Sequence, residues 1–88
     1  MKLVDVIDEI KSLNSEATIW IESSKKHSAN SVVQVADEKE TGGKPDTVSE
    51  SFEYFLEVFI VSELVDDLSH LQGEALVNRI IDYAVDDA

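Results

Sequence analysis

The stretch that decides the fold is Thr47–Leu68, TVSESFEYFLEVFIVSELVDDL. Thr47 followed three residues later by Glu50 matches a capping box, in which each side chain accepts a hydrogen bond from the other residue's backbone N–H. At 100° per residue, the positions that follow are apolar on almost every side and leave only a narrow polar strip through Glu50, Glu53 and Glu57. We therefore predict a central helix over residues 47–68, which the rest of the chain must cover.

A second interpretation of this stretch stays open. Apolar side chains also alternate along part of it, as they do in a half-buried strand, at Phe52, Tyr54, Leu56, Val58 and Ile60. The capping box, and the continuation of the helical pattern through Val65 and Leu68, favour the helix.

The elements around the central helix follow from periodicity. Lys2–Leu13 carries apolar residues at helical spacing, and Glu74–Val85 has one clean apolar face, so both are predicted to be helices. Ala17–Glu22 and Ser31–Ala36 are short and rich in β-branched residues, which is typical of strands. Residues 37–46 hold two adjacent glycines and the only proline, which indicates an exposed loop.

The predicted fold class is therefore α+β, a single small domain over residues 1–88. Its expected order is helix, strand, strand, helix, helix. The two strands are expected to pair as an antiparallel hairpin. This hairpin should pack on a helical layer, because an isolated two-stranded hairpin is only marginally stable in water.

Charge is the feature of composition that departs most from the average. The chain has 7 basic and 19 acidic residues, a net charge of −12. Residues 1–30 hold four basic and five acidic residues, whereas residues 31–88 hold three basic and fourteen acidic residues. Such a surface repels nucleic acid and anionic membranes, and it attracts a basic protein surface. We expect no direct nucleic-acid or membrane partner.

The sequence gives only weak indications of a metal-binding or catalytic site. Glu63, Asp66 and His70 share a helical stripe that could hold a metal, but no further ligands are evident, so we predict no metal site. His27 lies in a polar loop without a nucleophile and base arrangement, and the chain has no cysteine. We expect a cytoplasmic protein that is not an enzyme and needs no cofactor.

The function predicted from these features is a small acidic protein-binding module, an inhibitor or neutraliser of a basic protein in the manner of immunity proteins, antitoxins or nucleic-acid mimics. The predicted contact residues are Glu50, Glu53, Glu57, Asp66, Asp67 and Trp20. Trp20 is included because it lies on the ribbon face opposite Ile19 and Ile21, where it could anchor a partner unless that face is also covered. The alternative is a structural or regulatory homodimer formed through the apolar central helix.

Overall fold

The elements of the fold are seen in a computed structural model that describes residues 1–40 and 42–87. The α+β class is confirmed, but there are three strands where two were predicted. The order is therefore helix, strand, strand, strand, helix, helix. In chain order the elements are helix α1 (Leu3–Asp8) with a 3₁₀ turn (Ile10–Ser12), strands β1 (Thr18–Glu22), β2 (Val33–Ala36) and β3 (Phe52–Glu57), and helices α2 (Val58–Asp67) and α3 (Gly73–Asp87).

The predicted central helix is wrong over its first half, where the alternative strand forms instead. Strand β3 pairs antiparallel with β1, from Glu22 opposite Phe52 to Thr18 opposite Glu57. No capping box forms, because the chain turns at Ser49, whose carbonyl accepts a hydrogen bond from the Phe52 N–H at 3.0 Å. The same apolar residues suit a helix or a strand, and pairing with β1 selects the strand.

The sheet is antiparallel with strand order β2-β1-β3, so β1 lies at its centre. The predicted pairing of the first two strands is confirmed, with Thr18 opposite Ala36 and Ile21 opposite Val33. The amino terminus lies along the outer edge of β2, where the Val33 N–H donates to the Met1 carbonyl at 2.8 Å.

A β-bulge interrupts the pairing of β1 with β3. Ile19 lies opposite Leu56 and Trp20 lies opposite Tyr54, which leaves Phe55 as an extra residue on β3. Phe55 and its neighbour Leu56 are both buried in the same core cluster. The bulge thus places two consecutive side chains of β3 in the core, which regular alternation would not do.

The main core lies between one face of the sheet and the three helices. Its fully buried members come from β1 and the three helices, and they are Leu3, Val6, Ile19, Ile21, Val58, Val61, Val77 and Ile80. Helix α3 begins at Gly73, whose φ of 58° suits glycine. Its predicted apolar face is buried at Val77, Ile80 and Ile81, half-buried at Leu76 and Ala84, and exposed at Val85. Within the described part of the chain, no helix is long and apolar enough to cross a membrane.

The opposite face of the sheet is covered by residues 37–40 and 42–51. Val48 and Trp20 are both buried there, outside the main core cluster. Lys44 fixes this segment, because its ammonium group donates to the carbonyls of Ser49 and Phe52, each at 2.9 Å. The segment predicted as the loop 37–46 is mostly exposed where it is described, and Thr41 within it lies outside the described residues.

Candidate functional site

Helix α2 is the element that presents the candidate surface, and its position is set by the sheet. It follows β3 directly, since Glu57 ends the strand in an extended conformation and Val58 begins the helix. The first backbone N–H groups of a helix have no partner within the helix. Here the Val58 N–H donates to the Ala17 carbonyl at 2.9 Å and the Phe59 N–H donates to the Ser15 carbonyl at 3.2 Å. Backbone groups therefore cap α2 in place of a side chain.

One side of α2 faces solvent and combines an aromatic ring with carboxylates. Phe59, Glu63 and Asp66 follow one another at spacings of four and three residues, which places them on one stripe of the helix, with Asp67 beside it. Phe59 is 43% exposed, and the three acidic residues are exposed as well. We call Phe59, Glu63, Asp66 and Asp67 the α2 surface.

The α2 surface already holds one cation of its own chain. The Lys11 ammonium group lies 2.8 Å from the Asp66 carboxylate, and it also donates to the hydroxyl and the carbonyl of Ser62, at 2.8 and 3.1 Å. Both charged side chains are more than half exposed, so the pair stabilises the fold little. Its geometry shows what the surface offers an ammonium group: a carboxylate, a hydroxyl and a carbonyl oxygen within reach of one another.

The other predicted acidic contacts do not form the expected strip. Glu50 lies in the turn before β3, Glu53 lies on β3, and Glu57 is half-buried where β3 ends. Cross-strand neighbours share a face, and Glu53 is opposite Ile21 whereas Glu57 is opposite Thr18. Because Thr18 and Ile21 are on opposite faces of β1, the bulge sends Glu53 and Glu57 to opposite faces of the sheet.

Trp20 is buried, with 3% of its surface exposed. Its indole N–H donates to the Ala36 carbonyl at 3.1 Å, and its ring packs edge-on against Tyr54 with the ring centres 6.1 Å apart. The face on which it lies is the one covered by residues 37–40 and 42–51. A partner would meet Trp20 only if that segment moved away, so we leave Trp20 out of the surface proposed below.

His27 lies between the loop that follows β1 and strand β3. Its Nε2 atom is 3.3 Å from a carboxylate oxygen of Glu53, and only 13% of its side chain is exposed. Its Nδ1 atom is buried and has no hydrogen-bond partner. The ring also borders a small apolar cleft of about 180 Å³ between β3 and the end of α3. The sequence indicated only that His27 lies in a polar loop, so this contact with Glu53 was not predicted.

Within residues 1–40 and 42–87, no three acidic or histidine side chains are arranged to hold a metal ion. Asp66, which the sequence grouped with Glu63 and His70 as a possible metal site, forms an ion pair with Lys11 instead. At Asp46, a hydrogen bond from Lys39 at 2.9 Å, together with the positive charge of Lys39, lowers the pKa of the carboxyl group below its ordinary value of 3.8.

Comparison with known proteins gives this chain no relatives. No protein-family model, no curated protein and no solved structure matches it.

Proposed function

We propose that this protein is a small acidic protein-binding module that occupies a basic surface of another protein and thereby inhibits or neutralises it. It acts by binding and not by catalysis, without a cofactor, and its expected setting is the cytoplasm. The α2 surface is the contact region. The observation that carries the proposal is the exposed stripe on α2 that joins Phe59 to Glu63, Asp66 and Asp67.

The composition of the α2 surface supports this proposal. Interfaces draw most of their affinity from a few anchors, and aromatic side chains are enriched among these. Phe59 supplies such an anchor, and the carboxylates around it favour a partner with lysine or arginine at the rim of an apolar pocket. The surface lies on a helix fixed to the sheet, so little ordering is required on binding.

The charge of the whole molecule supports it as well. Among the described side chains, only three acidic residues lie within ion-pair distance of a basic group, namely Asp46, Glu53 and Asp66. The other acidic side chains that the structure describes have no basic group within ion-pair distance. The negative electrostatic potential of such a surface raises the rate at which a basic protein associates with it, and salt screens this attraction.

The test begins with a pull-down from nuclease-treated lysate of the source organism at low and high salt. The partner is then purified, and its association with the wild-type chain and with the double variant Glu63→Lys/Asp67→Lys is measured by surface plasmon resonance. We expect the variant to associate at least about tenfold more slowly at low salt, and the difference to shrink as salt rises.

A matched control separates the α2 surface from net charge. The variant Asp37→Lys/Glu40→Lys changes the charge by the same amount, in the segment that covers the other face of the sheet. We expect it to slow association much less. If both variants slowed association equally, the net charge of the molecule alone would explain the attraction, and the α2 surface would not be the contact. A partner that is not basic would contradict the proposal itself.

Self-association is the second candidate function, and one observation favours it. Phe59 is 43% exposed and Val85 is 62% exposed, which leaves apolar surface that a second copy could bury. The central helix that first suggested a dimer is absent over residues 52–57, which form β3. Twelve net negative charges on each copy also oppose association. A sedimentation mass of one chain at micromolar concentration would remove this candidate.

A further inference from the structure

A second groove, of about 600 Å³, also borders His27. One wall is the loop that follows β1, which contributes Lys25 and Lys26. The other wall is α3, which contributes Glu74, Asn78 and Asp82. Grooves of this size accept small molecules or short peptides.

Both walls are held in place. On the loop side, the carbonyls of Ala29 and Ser31 accept hydrogen bonds from the N–H groups of Val4 and Leu3, at 3.0 and 2.9 Å. Ala29 is buried, which ties the loop to the main core. On the helix side, the polar residues recur every four positions and so project from the same side of α3. Val77 and Ile80 on the same helix are buried in the main core, so both walls are attached to it.

The two walls carry opposite charges that do not neutralise each other. Among the residues that the structure describes, Lys25 and Lys26 have no acidic partner within 4.0 Å, and Glu74 and Asp82 have no basic one. An anion in the groove is attracted by the loop wall and repelled by the helix wall, and a cation meets the reverse. An occupant with both charges, spaced to reach both walls, is attracted by each of them.

We propose that this groove binds a short zwitterionic peptide, with its carboxylate at Lys25 and Lys26 and its ammonium group at Glu74 and Asp82. A tripeptide with neutral side chains is a simple occupant of this kind, because its two termini supply both charges at the two ends of an extended chain of roughly 10 Å. The groove shares no residue with the α2 surface, so a test of peptide binding here does not depend on the protein partner proposed above.

The test uses trialanine and its two singly charged relatives, N-acetyl-trialanine and trialanine amide, in titrations of the isotope-labelled full chain followed by NMR. We expect saturable shifts at millimolar trialanine in the amides of both walls, and affinity about tenfold lower for each relative, since each loses one of the two charged contacts. Shifts confined to one wall, equal affinity for the three peptides or no saturable shift would overturn the proposal.

A charge reversal provides the second arm. In Lys25→Glu/Lys26→Glu both walls are acidic, so we expect the preference to pass from trialanine to trialanine amide. The matched control Lys2→Glu/Lys39→Glu makes the same change in net charge outside the groove and should keep the preference for trialanine. A control that switches preference in the same way would show that net charge, and not the groove, selects the ligand, and would overturn the proposal.

Discussion

Replacing Trp20 by phenylalanine separates the structural role of this residue from a role in binding. The substitution removes the indole N–H that donates to the Ala36 carbonyl at 3.1 Å and shortens a side chain that is 3% exposed. A lost hydrogen bond contributes about 1 kcal/mol. The space left by the smaller ring adds about 1 kcal/mol more. We expect the free energy of unfolding to fall by roughly 2 kcal/mol.

Thermal unfolding followed by circular dichroism measures this loss. For a domain of this size, 1 kcal/mol corresponds to roughly 4–8 °C in Tm, so we expect Trp20→Phe to unfold about 8–16 °C below the wild type. Its affinity for the basic partner should be unchanged at temperatures where it is folded.

The variant Phe59→Ala is the matched comparison, because Phe59 is an exposed aromatic residue on the α2 surface. It should change Tm little and weaken partner binding by about tenfold or more. The reverse pattern, with Trp20→Phe stable but unable to bind, would refute the assignment of Trp20 to the interior and of Phe59 to the contact.

Three further predictions concern single residues. Lys44→Met should lower the free energy of unfolding by about 1–2 kcal/mol in urea denaturation, because the Ser49 and Phe52 carbonyls lose a charged donor; no loss would show that water replaces the ammonium group fully. Ile80→Ala should cost about 2–4 kcal/mol in the same assay, and Val85→Ala, at an exposed position, should cost little. The Asp46 carboxyl should titrate below 3.8 by NMR and return towards that value in Lys39→Met, since the lowered pKa comes from the Lys39 hydrogen bond and charge. Because this pKa is lower in the folded state, the stabilisation it brings is present above 3.8 and is lost as pH falls through the folded pKa.

The parts of the fold that could be predicted from the sequence are those where the local pattern allows one answer. Helix α3 has a long, regular apolar face, and β1 and β2 are short β-branched runs, so each was placed within a few residues. Strand β3 was not, because its apolar residues fit both periodicities and the choice depends on pairing with β1, some thirty residues earlier in the chain.

The candidate site shows the same limit. Asp66 and Asp67 were predicted to be exposed, and they are, because they come at the end of a helix in either interpretation. Phe59 was not among the predicted contact residues, since a helix that began at Thr47 would be apolar on almost every side. Its exposure depends on the helix beginning at Val58. The separation of Glu53 from Glu57 depends on the bulge at Phe55, for which the sequence holds no signal that we can identify.

The direct passage from β3 into α2 has a consequence for how the molecule opens. The first two amides of α2 bond to the segment that precedes β1, the central strand, so the helix cannot fray from its amino-terminal end without disturbing the sheet. Amide hydrogen exchange in the first turn of α2 should therefore require an opening nearly as costly as global unfolding. The carboxyl-terminal turn, which carries Asp66 and Asp67, has no such bonds to the sheet and should exchange faster. Phe59 thus lies on the part of the helix that opens most slowly, whereas Asp66 and Asp67 lie on a turn whose backbone should open more readily.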